Sequence, residues 1–318
     1  MIKSITNKIV VILGTNASGK SELAVKIAQK FNGEIISADS RQVYKWLSIG
    51  TGKVEGEWKK RRKNQNAKCF IYKDIPHYCI DFVSPKRIYT AGDYKKCAQK
   101  SIEDILSRGK LPLICGGTGF YIGAALNEIH MPEIPPDWKL RKKLEKKSGE
   151  ELFKMLQKIN PVRSKNIDPK NKRRLIRAIE IAQLGFESKM PKLGGRAAKL
   201  SNYNTLYMGI TRQTEVLKKR IEKRLIERLE QGMIKEVKNL RHKKNLSWKR
   251  LDELGLEYRY ISYFLRGKIK SEKELFEKLK IEIWRYAKRQ TTWFRRNKDI
   301  HWIKNEKEAE KFVKNFLS

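Results

Sequence analysis

The 318-residue sequence predicts an α/β fold, a parallel sheet flanked by helices, with an inserted, mainly helical domain. Three observations predict it. First, Gly14-Thr15-Asn16-Ala17-Ser18-Gly19-Lys20-Ser21 fits the pattern G-x-x-x-x-G-K-[ST] at every required position. It lies between an apolar, β-branched run, Ile9–Leu13, and a helical stretch with Leu23, Ala24, Ile27 and Ala28 on one face. That strand–loop–helix order is the context a phosphate loop needs, so the sheet is expected to be P-loop NTPase-like. Second, Leu111–Cys115 reads as another buried strand and runs through Gly116-Gly117-Thr118-Gly119 into an apolar helix, Phe120–Leu126. Third, the composition changes near Met131. Pro132, Pro135 and Pro136 punctuate the chain, and Asp137–Leu200 carries 19 Lys/Arg against 7 Asp/Glu. The expected organisation is therefore a phosphate-loop core from residues 1–130 and 201–318, with residues 131–200 as the inserted helical domain.

Each element has its reason. The glycines of the phosphate loop let the backbone curl until consecutive N–H groups point inward, and the helix N-terminus adds partial positive charge. Lys20 supplies a full charge, and the Ser21 hydroxyl is placed to hold a Mg²⁺ that bridges phosphate oxygens. Glu34–Ala38 reads as a second strand ending at Asp39-Ser40-Arg41-Gln42. Loops at the carboxyl ends of neighbouring parallel strands cluster, so Asp39 is expected beside Lys20. Lys59-Lys60-Arg61-Arg62-Lys63 reads as a solvated loop, and Ile75–Asp81 as a strand in which His77 makes a local hydrogen bond. Asp93–Leu106 has helical spacing, and a helix opens at Asp168 with Leu175, Ile176, Ile179 and Ala182 on its apolar face. Asn204–Ile210 returns as a strand. From Thr214 one long amphipathic helix is expected, with Leu217, Ile221, Leu225, Leu229, Met233, Val237 and Leu240 as its stripe and Arg220 beside it. A last helix, from about Glu272 to Asn297, interleaves Arg and Lys with Trp284, Tyr286, Trp293 and Phe294, the mixture a nucleic-acid groove uses.

Composition narrows the function. The formal charge is +37, from 72 basic against 35 acidic residues, which makes a polyanionic partner the first hypothesis. Four scattered cysteines, Cys69, Cys79, Cys97 and Cys115, form no C-x-x-C pair, so a reduced, cytoplasmic protein without structural zinc is expected. No apolar run approaches the roughly 18 residues of a membrane span.

Taken in order, several stretches resemble the tRNA dimethylallyltransferase family, enzymes that prenylate the adenosine at tRNA position 37, next to the anticodon. They are the phosphate loop, Ile36–Tyr44, the Ile49-Gly50-Thr51-Gly52-Lys53 turn, His77–Asp81, Gly116–Tyr121, Asp168–Ile181 and Lys288–Arg295. The resemblance implies that the loop residues Gly14 to Ser21 bind the diphosphate of dimethylallyl diphosphate with Mg²⁺, that Arg220 adds charge to it, and that Asp39 is the general base. It also implies contacts to the tRNA anticodon stem-loop from Asp39, Ser40, Arg41, Gln42, Thr118, Arg141, Pro169, Lys170, Asn171, Lys172 and Arg173. Leu254–Arg259 and Lys288-Arg289-Gln290-Thr291-Thr292-Trp293-Phe294-Arg295 complete the implied contacts, and a monomer is expected. The chain departs from the family at Thr15-Asn16, where Pro-Thr is usual, so an amide stands in place of a hydroxyl.

The chemistry is consistent with this implication. Neutralising the leaving diphosphate lets the allylic carbon ionise, and the weakly nucleophilic adenine amine needs a carboxylate to take its proton. The alternative enzyme is a small P-loop kinase or NTPase acting on a nucleotide or RNA, which needs an apolar strand ending in aspartate for Mg²⁺. Leu111–Cys115 ends in glycine instead. A non-catalytic RNA-binding protein is the other class, and Asp39 counts against it, because an acid beside an anion clamp weakens binding.

Overall fold

The computed structural model describes residues 7–60, 68–129, 131–132, 134–184 and 203–318. The chain divides into two units, Met1–Leu126 with Ser201–Ser318, and Asn127–Leu200. In the first unit the elements are β1 (Lys8–Gly14), α1 (Lys20–Lys30), β2 (Gly33–Ser37), β3 (Glu57–Lys60), β4 (Lys68–Tyr72), β5 (Ile75–Tyr78), α2 (Ala91–Ser107), β6 (Leu111–Gly116) and α3 (Gly119–Ala125). The second unit contributes α4 (Trp138–Leu144), α5 (Gly149–Ile159), α6 (Pro161–Ser164) and α7 (Lys172–Gln183). The first then resumes with β7 (Asn204–Ile210), α8 (Thr214–Glu230), α9 (Met233–His242), α10 (Trp248–Leu254), α11 (Leu256–Leu265), α12 (Glu272–Phe294), β8 (Ile300–Ile303) and α13 (Glu306–Leu317).

The sheet is ordered β3-β4-β5-β2-β6-β1-β7-β8, with β5 to β8 parallel and β3–β4–β5 an antiparallel meander. β1 is buried on both faces, which is why its apolar run is continuous. Alternation along it divides the core. Ile9, Val11 and Leu13 join a cluster built from α2, α3 and α8 to α12, whereas Val10 and Ile12 join one built from α1 and α13. β2, β6, β1 and β7 all run in one direction, so their carboxyl ends bring the loops after Gly14, Ser37, Gly116 and Ile210 to one edge.

Three expectations are corrected. The long helix from Thr214 is two helices, because Gly232 takes a left-handed φ of 91° and donates its N–H to the Leu229 carbonyl, closing α8. Lys59 and Lys60 belong to the exposed edge strand β3 rather than to a loop, and lysines on an edge discourage pairing with other chains. Arg61, Arg62 and Lys63 lie outside the described residues, as does the basic stretch from residue 185 to 200. The helix expected from Asp168 begins at Lys172, since Asp168 turns back to accept from the Lys170 N–H and Asn171 caps the helix through the Arg174 N–H. In the second unit α5 and α7 pack Leu152, Leu156, Leu175 and Ile179 into a separate small core.

Two buried titratable groups tie the sheet to acid stability. Burial raises the Glu34 carboxyl, but Arg108, Lys110 and the Tyr78 hydroxyl outweigh it and hold the group at about 2. Burial takes His77 down to about 4, with its Nδ1 2.9 Å from the Ile75 carbonyl. The His77 contribution is complete above pH 6.5 and is lost as pH falls toward 4; that of Glu34 is complete above 4.5 and is lost toward 2. Thermal melts should therefore weaken in two acid steps, and His77→Phe should remove only the upper one.

Candidate active site

The phosphate loop leaves β1 at Gly14, where a Cβ would stand 2.7 Å from Ser18 Oγ and 3.3 Å from the Ile210 carbonyl. Ala17 and Gly19 both take positive φ, 61° and 99°, which curls the loop around the first turn of α1. Ser18 Oγ is buried and has no hydrogen-bond partner among the described residues. Lys20 lies across the loop and donates to the Thr15 carbonyl at 3.2 Å. Burial lowers its ammonium below the ordinary lysine value; Cys115 and Asp39 pull the other way, and Arg224 and Arg228 add to the lowering. A desolvated lysine beside further cations is a site that a polyphosphate stabilises.

Asp39 follows β2, and its position answers the expectation from topology: it is within electrostatic reach of Lys20. Its Oδ1 accepts from the Arg41 and Gln42 N–H groups, at 2.8 and 3.3 Å, which aims the carboxylate and leaves Oδ2 without a hydrogen bond among the described residues. Thr118 Oγ1 accepts from the Ser40 N–H at 3.2 Å, and the Thr118 N–H donates to the Ala38 carbonyl at 3.1 Å. Those two bonds zip the Asp39 loop to the glycine-rich turn after β6. At Gly116 a Cβ would lie 2.1 Å from the Ala38 carbonyl oxygen, so only glycine allows the approach. Tyr286 of α12 reaches the same place, its hydroxyl pushed up to about 12 by burial and then by Asp39.

α12 contributes one more support. Gln290 Oε1 accepts from the Asn16 N–H at 3.0 Å, and its Nε2 donates to the Gly117 carbonyl at 2.9 Å, so one amide ties the phosphate loop to the glycine-rich turn. The C-terminal run thus divides. Gln290 and Phe294 are buried, 5% and 3% exposed, and are corrected from RNA contacts to internal supports. Lys288, Arg289, Thr292 and Arg295 are exposed and Thr291 half-buried, while Trp293 packs over Gly119 and edge-on to Phe120. The helical period, 3.6 residues, forces that split on any eight-residue run.

Four arginines ring the loop where the sequence reading named one. Arg220 Nε donates to the Ala17 carbonyl at 2.8 Å and Arg212 Nε to the Ser18 carbonyl at 3.4 Å. Arg224 and Arg228 follow at helical spacing on α8 and reach the Gly52 and Gly50 carbonyls, each at 3.4 Å. A Cβ at Gly52 would collide with both guanidiniums. Arg228 also pairs with the buried Glu257, whose carboxyl is raised by burial. Arg224 forms no ion pair among the described residues, and burial, then Arg228, lowers it to about 10. With Asn16, Ala17, Ile221, Leu225 and Ile283 it lines a small recess under the loop. The 220, 224, 228 spacing was the signal available in the sequence.

In the second unit, the Arg141 guanidinium is held bidentate by the buried Glu180 carboxylate, at 2.9 and 2.7 Å, which Arg177 and the Asp137 N–H also engage. Asn171 caps α7 and Lys172 bonds the Glu145 carbonyl, leaving Pro169, Lys170 and Arg173 exposed. Among the described residues the site carries no kinase signature. β6, the strand between β1 and β2, ends in glycine, and Asp81, two strands further out, is engaged by Lys53 and by the Trp58 indole.

The family model described as IPP transferase matches residues 42–297, and one described as isopentenyl transferase matches residues 7–63. A tRNA dimethylallyltransferase of Treponema denticola is 41% identical over 303 residues, 92% of this chain and 95% of that one. The crystal structure of a tRNA isopentenylpyrophosphate transferase from Bacillus halodurans superposes with a TM-score of 0.68 at 31% identity, covering 98% and 97% of the two chains. A eukaryotic dimethylallyltransferase, described as acting on tRNA, superposes with a TM-score of 0.70 at 27% identity, covering 91% of this chain and 70% of that one. A phosphate loop ringed by arginines, an aimed aspartate and near full-length likeness agree, and the chain belongs to the tRNA dimethylallyltransferase family.

Proposed function

We propose that this protein transfers the dimethylallyl group of dimethylallyl diphosphate to the N6 amine of adenosine 37 in tRNA, releasing diphosphate. The observation that carries this reading is the pairing of Asp39, aimed by two backbone N–H groups, with a cation-ringed phosphate loop within its electrostatic reach. The C1–O bond to the diphosphate breaks as the N6–C1 bond forms, and the amine proton passes to Asp39. Lys20, Arg220 and Arg224 neutralise the charge that grows on the departing diphosphate, joined by loop N–H groups that Gln290 holds in place. Adenosine 37 must leave its stack, and the Thr118 turn with Tyr286 forms the wall beside Asp39.

The donor set fits Mg²⁺. Ser21 Oγ stands at the start of α1 with no hydrogen bond among the described residues, a hydroxyl oxygen of the kind Mg²⁺ accepts. The Ser21 hydroxyl would hold the ion, which would neutralise the diphosphate further. No helix among the described residues is long and apolar enough to cross a membrane.

Incubation with total tRNA and labelled dimethylallyl diphosphate, followed by nucleoside analysis, should place label in N6-dimethylallyladenosine without ATP consumption. ATP turnover without label transfer would instead support the kinase. Affinity for tRNA should fall about 10³–10⁵-fold between roughly 50 and 200 mM salt if six to ten phosphates are engaged. Filter binding across that range is the measurement, with Arg173→Ala and Arg295→Ala each weakening binding while leaving the melting temperature unchanged.

A further inference from the structure

We infer that the groove beside Trp46 is a second RNA-binding site, separate from the phosphate loop, in which a base stacks on the Trp46 ring and flanking phosphates meet Lys235, Lys243 and Lys244. This rests on the tRNA reading above. The groove has a volume of about 350 Å³, within the range of sites that hold small ligands, and runs along α9, with Ile49 and Asn239 among its lining. Trp46 is 43% exposed, and the Lys244 ammonium lies 4.4 Å from its ring centroid.

Backbone conformation supplies the second, independent observation. Trp46 has φ 66°, the left-handed region that glycine enters freely and a bulky side chain enters at a cost. The indole is 43% exposed and belongs to neither core cluster of its unit, so little core packing offsets the strain. Strain of this kind collects where a side chain meets a ligand. The acid in the lining does not oppose an anion, because Glu236 is consumed internally: its carboxylate accepts from the Ser48, Ile49 and Gly50 N–H groups and from the Tyr258 hydroxyl. What the groove presents is a half-exposed indole with the Lys244 ammonium over its ring, beside Lys235 and Lys243, the combination that holds unpaired nucleotides by stacking and charge. An acidic protein would use the lysines but has no need of a strained, exposed indole, so RNA is the occupant the groove favours.

Trp46→Gly separates binding from structure, since glycine relieves the φ strain while deleting the ring. Its melting temperature should be unchanged or higher, and its affinity for total tRNA should fall about 5- to 150-fold, the worth of one stacked base. Lys235→Glu, Lys243→Glu and Lys244→Glu together should flatten the salt dependence of tRNA binding by about two units of slope, at roughly 0.7 per lost contact. Lys307→Glu, Lys311→Glu and Lys314→Glu, exposed on α13, make the same charge change elsewhere and are the control. Unaltered affinity in Trp46→Gly, or equal losses in the two triple variants, overturns the proposal and leaves the tRNA reading intact. A wild-type protein that neither binds nor prenylates tRNA overturns both.

Discussion

Asp39→Asn is expected to slow prenyl transfer by roughly 10²–10⁴-fold, the usual worth of a general base, while both substrates still bind. The substitution is nearly isosteric. An asparagine Oδ1 still accepts from the Arg41 and Gln42 N–H groups, so the loop keeps its shape and its two bonds to Thr118. What is lost is the acceptor at the second oxygen, which becomes an amide NH₂ unable to take a proton. Single-turnover transfer from a preformed complex is the measurement, because it excludes donor binding and product release. A rate near wild type would make Asp39 a positioning group only, and the site would then run without a carboxylate base.

Lys20→Ala should cost about 10²–10³-fold in the same single-turnover rate, comparable with removing one preorganised donor from a developing oxyanion. Its ammonium is already part-buried and bonded to the Thr15 carbonyl, so it needs little reorganisation as the diphosphate departs. The protein itself should melt at or above the wild-type temperature, since a desolvated cation near Arg224 and Arg228 is removed. The same logic makes Arg224→Ala a companion variant: its guanidinium is held below its ordinary range with no carboxylate partner among the described residues. If Lys20→Ala kept the wild-type rate at saturating donor, the charge would serve binding alone.

The first turn of the story lay in local pattern. Gly14 to Ser21 announced a phosphate loop because that loop is made by backbone N–H groups, and the glycines and flanking apolar runs that shape it are contiguous in sequence. The parallel sheet followed from the same runs, and with it the nearness of Asp39 to Lys20, since strand ends cluster whatever the intervening sequence. The change of charge and the prolines near Met131 lie just inside the unit Asn127–Leu200.

Tertiary structure decided how the charges are used. Seventy-two basic residues look alike in sequence, yet Arg141 pairs with Glu180 and Arg228 with Glu257, whereas Arg224 forms no ion pair among the described residues. Each pairing depends on which carboxylate a fold brings within about 3 Å, a distance that no local spacing encodes across tens of residues. The eight-residue run at Lys288 is the clearest case. Its composition suggested one RNA-facing surface, but α12 packs against the loops, and rotation of about 100° per residue turns Gln290 inward to join Asn16 to Gly117 while Arg289 and Arg295 face water. A motif written in backbone chemistry is legible one residue after another; the fate of a charge is set by its neighbours in space, and those exist only once the chain has folded.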